Sequence, residues 1–362
     1  MLKIHSLQWL LMLFAGGLFM ASCDIIGDVN PPEPLYSPTL IGIQVPANFP
    51  SPVVMPDNPI SKEGVLLGRT LFYDPELSLD GKVSCSSCHN QELAFSDGVS
   101  LGNFGVSGKE LVRHSPTLIN MAWMDQGFFW DGGSKNLESQ AFGPLTHADE
   151  MGMSLDNLEK RLTADPEYSE LFLNAFEDGL TFQNIAKALA QFERTLISSN
   201  SRYDKYVRNE RGGNLNDLEL KGLNLVQEKC SSCHSGELFT DNAFHNNGLD
   251  NSFTDESHEL SYQGRYRITF ELEDLGAFKT PTLRNTMVSA PYMHDGRFSG
   301  IEEVLEHYSE GVKAAKTTSR LLYQNNGKAG LALSDSDKEA IIAFLHTLTD
   351  EEFLYNPDFS GF

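Results

Sequence analysis

The chain has 362 residues, with 50 acidic side chains against 27 lysines and arginines, a formal net charge of −23 at pH 7. So acidic a surface is repelled by phosphate backbones, which excludes nucleic acid as a general partner. It suits long-range attraction to a basic protein, or serves only to keep the chain soluble. The length leaves room for two domains with substantial cores.

Residues 1–22 carry Lys3, an apolar run from Leu7 to Met20, and small residues ahead of Cys23. That order describes an export signal, and a Cys at the cut site makes Cys23 the expected lipid-attachment residue. A retained transmembrane anchor is the alternative, but the apolar run is short for a full span. The expected location is therefore periplasmic, with the body anchored as a lipoprotein and touching the membrane only through its lipid. Residues 23–57 are dominated by proline and read as an extended tether. Asn58-Pro59 is a plausible cap and first position for a helix through Ser61–Tyr73, with Leu67 and Leu71 on one face. Residues 90–120, rich in Gly and Ser, read as loop. Ser154, Asp165-Pro166 and Thr181 look like helix starts, the last leading Ile185, Leu189, Phe192 and Leu196 at helical spacing. Arg211-Gly212-Gly213-Asn214 marks an expected boundary between domains at 58–210 and 211–353. Asp217 then caps a further helix. Later patterns cover Ile301–Tyr308 and Ser334–Leu348, with Ile341, Phe344, Leu345 and Leu348 inward. No stretch alternates with period two for long, so the fold is expected to be mostly helical.

Cys85-Ser86-Ser87-Cys88-His89 returns letter for letter at Cys230-Ser231-Ser232-Cys233-His234. C-x-x-C-H is the attachment sequence for a c-type haem: the two thiols add across the vinyl groups and the His binds the iron. A zinc ribbon wants its second C-x-x-C much nearer, and a redox dithiol does not need the trailing His. Two covalently bound haem c groups are therefore expected, one in each of two cytochrome c-like helical domains, with His89 and His234 as proximal ligands. The cysteines are then all assigned. Cys23 takes the lipid and Cys85, Cys88, Cys230 and Cys233 take thioethers.

Between and after these motifs stand Phe129-Trp130-Asp131-Gly132, Gln140, Glu150, Pro281-Thr282-Leu283-Arg284-Asn285 and Pro291-Tyr292-Met293-His294-Asp295-Gly296. In this ordered set the chain resembles the bacterial di-haem cytochrome c peroxidase family, including its MauG-type relatives, from about Asn58 to Phe353. The resemblance implies that the N-terminal haem binds peroxide, that Glu150 is its acid–base group and Gln140 its companion, and that Trp130 sits on the electron path between haems. Heterolysis of HO–OH asks for such a group, since a proton must move from the inner to the outer oxygen.

Two departures stand out. Where family peroxidases place a distal His, Ser100-Leu101-Gly102-Asn103 puts Asn103, a poor iron ligand, so the first haem is expected to be open at rest. His114 stands where the family has an Asn that binds an interdomain calcium ion, with the main-chain carbonyls of Ser289 and Pro291 as further ligands. Imidazole suits that hard cation badly, which leaves calcium an open expectation. At the second haem, Tyr308 takes the place of an axial Met, as in MauG-type enzymes; Met287, Met293 and His307 are rivals. The leading expectation is an enzyme that reduces hydrogen peroxide to water with electrons from a small cytochrome c or cupredoxin, entering through the C-terminal haem. The alternatives are a MauG-type oxidase of a protein or small-molecule substrate, and a non-catalytic electron carrier. A homodimer is compatible with the sequence but not required by it.

Overall fold

Twelve α-helices and one two-stranded sheet make up most of the regular structure in the computed structural model, which describes residues 36–99, 104–254 and 261–362. In chain order the helices are α1 (Lys62–Tyr73), α2 (Cys85–Cys88), α3 (Leu137–Thr146), α4 (Leu155–Thr163), α5 (Pro166–Ala175), α6 (Phe182–Thr195), α7 (Arg202–Val207), α8 (Asp217–Lys229), α9 (Tyr266–Thr269), α10 (Ile301–Glu306), α11 (Asp335–His346) and α12 (Glu351–Leu354). Strand β1 (Phe244–His245) pairs antiparallel with β2 (Phe278–Lys279), Phe244 opposite Lys279. Among the described residues no helix is long and apolar enough to cross a membrane.

Local chemistry explains where the helices begin. Ser154, Asp165 and Thr181 each turn a side-chain oxygen onto a backbone N–H of the first turn, with Pro166 at the head of α5 where its missing donor costs nothing. Two expected caps move. Ser61, not Asn58, caps α1; Asn58 is buried and bonds Glu138 and the Lys187 carbonyl instead. Asn216 rather than Asp217 caps α8, in a reciprocal pair with Glu219. The helix beginning at Ile301 is α-helical only to Glu306 and continues as a π-helical turn, His307–Gly311.

Two large hydrophobic cores, and a smaller cluster of Phe49, Ala122 and Trp123, form within one body. The first gathers Leu67, Leu71, Phe72, Phe172, Ile185, Leu189 and Phe192; the second gathers Leu223, Val226, Phe239, Ile341, Phe344 and Leu345. Both use the same crossing. The helix ahead of each C-x-x-C-H packs on a later helix, α1 on α6 and α8 on α11. A glycine sits at each contact. A Cβ on Gly68 would lie 2.0 Å from the Ala188 carbonyl oxygen, and one on Gly222 would lie 1.9 Å from that of Ala340. Only hydrogen at those positions lets the backbones approach so closely.

Packing redraws the expected segments. Tyr203, ahead of the Arg211-Gly212-Gly213 loop, already belongs to the second core, so the crossover falls before α7 rather than at 211. Phe353 and Leu354 return to the first core, where Phe353 meets Phe95. Residues 36–57 of the expected tether hold no helix, yet they are not a free spacer. Phe49 is buried against Trp123, and Asn48 donates to Asp204. Residues 1–35, with the expected signal and Cys23, lie outside the described residues, as does Asn103.

Candidate haem sites and the wall between them

Each C-x-x-C-H folds into a tight helical turn because the His amide bonds back to the first Cys carbonyl, at 3.0 Å for His89 and 2.8 Å for His234. That turn brings both sulfurs and the imidazole to one side. The ring Nδ1 of His89 then lies 2.7 Å from the carbonyl oxygen of Phe95, and that of His234 lies 3.2 Å from that of Phe239. A carbonyl can only accept, so Nδ1 carries the proton and Nε2 keeps its lone pair for a metal. Phe95 and Phe239 adopt the same left-handed backbone, with φ of 59° and 51°. Burial lowers the pKa of both histidines, which keeps them neutral as ligation requires.

The first motif opens on a cavity of about 700 Å³ lined by Cys85, Cys88, His89, Gln140, Glu150, Met151, Leu189 and Glu193. The second opens on a larger one of about 1280 Å³, with Cys230, Cys233, His234, Met293, His294 and Tyr308 in its wall. Two thiols and a ligand-ready imidazole on a largely apolar cavity fit a covalent haem. The four cysteines form no disulfide.

Gln140 and Glu150 do meet on the first cavity. Gln140 projects from α3 and Glu150 from the turn after it, where the Val106 amide bonds the Glu150 carbonyl at 2.7 Å. The Glu150 carboxyl lies 3.6 Å from His147 Nδ1. Burial raises its pKa, His147 opposing and Asp149 adding to the rise. Trp130 is elsewhere. It is buried on the wall of the second cavity, with its indole N–H donating to the His114 carbonyl at 2.7 Å. The next residue, Ser115, lines the first cavity, so the indole joins the two sites through one main-chain step.

The rivals at the second site separate. Tyr308, on the π-helical turn, and Met293 line the cavity. His307 points its ring away to the Asn247 carbonyl at 3.0 Å, and Met287 packs on the second core. π-turns inside helices recur at functional positions. Burial pushes the Tyr308 phenol up to about 12.

The residues at the expected calcium position do not fit the ion. His114 is buried, its Nδ1 lies 2.6 Å from Asp97 Oδ1 and its Nε2 lies 3.2 Å from Ser96 Oγ. A ring already engaged on both nitrogens offers no oxygen to a hard cation. Its main chain still holds the lobes together, the His114 amide donating to the His294 carbonyl at 3.0 Å.

Three residues of these walls were not singled out from the sequence. Glu193 lines the first cavity, and Lys279 and His245 line the second. Lys279 donates to the Asn242 carbonyl and sits 4.3 Å from the Phe244 ring centre, and its own amide bonds Trp130 O. His245 Nε2 lies 2.8 Å from Asp241. None belongs to a recognisable short motif; only its place in the fold marks it.

A helix-rich protein with two C-x-x-C-H turns facing two cavities has the architecture of a c-type cytochrome. The chain belongs to the di-haem cytochrome c peroxidase family, whose model matches residues 62–212. It is 34% identical to the methylamine utilization protein MauG of Methylorubrum extorquens over 350 residues, covering 95% of this chain and 94% of that one. It is 32% identical over 315 residues to the cytochrome c551 peroxidase of Nitrosomonas europaea, with 86% of each chain covered. A crystal structure described as a MauG-like protein associated with microbial copper homeostasis superposes with a TM-score of 0.80 at 33% identity, covering 88% of this chain and 99% of that one.

Proposed function

We propose that the protein is an exported di-haem enzyme that takes two electrons to hydrogen peroxide, and that its electron source is a protein or small-molecule substrate oxidised in the MauG manner. Cys85, Cys88 and His89 would hold one haem c and Cys230, Cys233 and His234 the other, and their irons would supply peroxide binding at the first cavity and one-electron transfer at the second. Glu150 accepts the proton of the inner peroxide oxygen and returns it to the outer one, which then leaves as water. Burial raises its proton affinity above that of a free carboxylate, which favours the step that takes up the proton. Gln140, on the same wall, orients the bound peroxide by hydrogen bonding. The buried Trp130 offers a readily oxidised ring between the sites.

The observation that carries this reading is Tyr308 in the second cavity. As an iron ligand its phenolate would stabilise ferric and higher states, which would make the second iron a poor sink for electrons from an ordinary small cytochrome. Two of the similar curated proteins are named MauG, which supports the same choice. The second reading is a cytochrome c peroxidase drawing on a small cytochrome c or cupredoxin. It is favoured by Glu150 and Gln140 sharing the first cavity, and by relatives named as peroxidases. We assign the export signal, the lipid on Cys23 and a periplasmic location to either reading.

Peroxide turnover, measured with and without a reduced small cytochrome, separates the two. The MauG-type reading expects slow turnover with the cytochrome and single-turnover peroxide consumption without it. Rapid multiple turnover that saturates in cytochrome would replace that reading with the peroxidase one. A pyridine haemochrome assay returning fewer than two haems per chain would remove both.

A further inference from the structure

Glu193 lies on α6, is only 6% exposed, and shares the wall of the first cavity with Cys85, Gln140 and Glu150. Its Oε2 is buried with no hydrogen-bond partner. The charged groups around it are committed elsewhere. Arg194, its neighbour on α6, points its two terminal guanidinium nitrogens, Nη1 and Nη2, at Glu138 of α3, at 2.7 and 2.9 Å. On α1, Glu63 bonds Thr39 and Arg69 reaches the carbonyls of Ser360 and Pro357. Arg161 of α4 is held by the carbonyls of Glu76 and Ser78. The α2 cysteines lose their titratable protons once linked, and Glu150 with His147 completes the cavity side.

An ionised carboxylate is costly in a buried place with no partner, so burial favours the neutral acid and only a positive charge close by, as an oxidised haem would bring, holds this one ionised. Burial pushes its pKa up to about 8, Arg194 opposing and Glu138 adding. Its proton affinity is therefore poised where a nearby change of one unit charge can move it.

We propose that Glu193 is the proton-exchanging acid of the first haem pocket: its carboxylate takes one proton from solvent when the haem there gains one electron, and returns it when the electron leaves. The electron comes from a one-electron reductant, in the test dithionite. The only covalent change is the O–H bond made or broken on the Glu193 carboxyl. Because the reduced state holds one more proton than the oxidised one, the midpoint potential of that haem falls as pH rises. The inference goes beyond the proposed function and rests only on its placement of a haem in the first cavity.

The test is a spectroelectrochemical titration of the first haem between pH 6 and pH 10, in the haem-loaded wild type and in Glu193→Gln. In the wild type the midpoint should fall around the Glu193 titration, approaching about 59 mV per tenfold change in proton activity; in the variant the dependence should flatten. Redox-difference infrared spectra of the wild type should show a protonated-carboxyl stretch that shifts in D2O and is lost in the variant. Equal slopes in both proteins would give the proton to Glu150 or a haem propionate and overturn the inference. So would a wild type with no carboxyl band, which decides the matter even if the variant fails to load haem. A protein that shows the slope but consumes no peroxide would sink the functional reading and leave this one standing.

Discussion

Glu150 and Trp130 are set up to fail at different steps. Glu150→Gln keeps size and shape but removes the proton acceptor, so peroxide consumption should slow by roughly the 10²–10⁴-fold typical of a lost acid–base group. The wild-type rate should also fall on the acid side as the carboxylate protonates. Because burial raises the Glu150 pKa, that limb should lie above the usual carboxylate range, and the variant should lack it. Trp130→Phe keeps a filler for the cavity wall and loses both the oxidisable ring and the N–H bonded to His114. The first peroxide should then be consumed at the parent rate while electron delivery lags. Stopped-flow spectra separate the two, and parent-like behaviour in both variants would remove these residues from the chemistry.

At the scale of elements, the pairing of α1 with α6 and α8 with α11 sets each attachment turn against its cavity. Gly222 is the tightest point of the second pair, with the Ala340 carbonyl 1.9 Å and the Phe344 Cβ 2.7 Å from where a Cβ would stand. Both neighbours belong to α11, and one is backbone, so neither can yield cheaply. Gly222→Ala should therefore lower stability by about 1–3 kcal/mol through overpacking, although alanine has the better helix propensity. Urea unfolding of the haem-loaded protein would show it as a lower midpoint. A rise in midpoint would mean that the helices can separate and that the glycine is not needed for the contact.

Across the whole molecule, one buried ion pair ties α7 to the segment that follows β2. Arg284 and Asp204 have fully buried side chains and meet through two bonds of 2.8 Å. Asn48 of the N-terminal segment donates to the same carboxylate. Burial opposes ionisation of Asp204, yet Arg284, Ser201 and Asn48 together outweigh it and hold its pKa below the usual carboxylate value. A depressed folded-state pKa gives stability that is present above the unfolded value and lost as pH falls through the folded one. Asp204→Asn leaves the guanidinium without its counter-charge, so at pH 7 it should cost about 3–5 kcal/mol. That gap should narrow as acid protonates Asp204 in the wild type. Urea midpoints from pH 7 down to pH 3 would check it; a gap that stays constant would place its source outside this pair.

The sequence alone determined what depends on near neighbours. The two attachment turns, the caps at Ser154, Asp165 and Thr181, and the inward stripe of α6 are set by residues within one or two helical turns, so their signals survive in the linear string. The resemblance to the family supplied Gln140 and Glu150, and the fold brings them to one cavity. Tertiary structure decided the rest. Asn58 looks like a cap until Glu138 and Gln191 arrive from distant helices to bind it. The loop at Arg211-Gly212-Gly213 looks like a boundary, but Tyr203 ahead of it finds its partners in Phe239 and Phe344. Glu193 reads as one more charge beside Arg194, and only the enclosure of α6 by α1 and α3 strips it of water. Its proton affinity is a property of that enclosure, because desolvation depends on which atoms surround a group and not on which residues precede it.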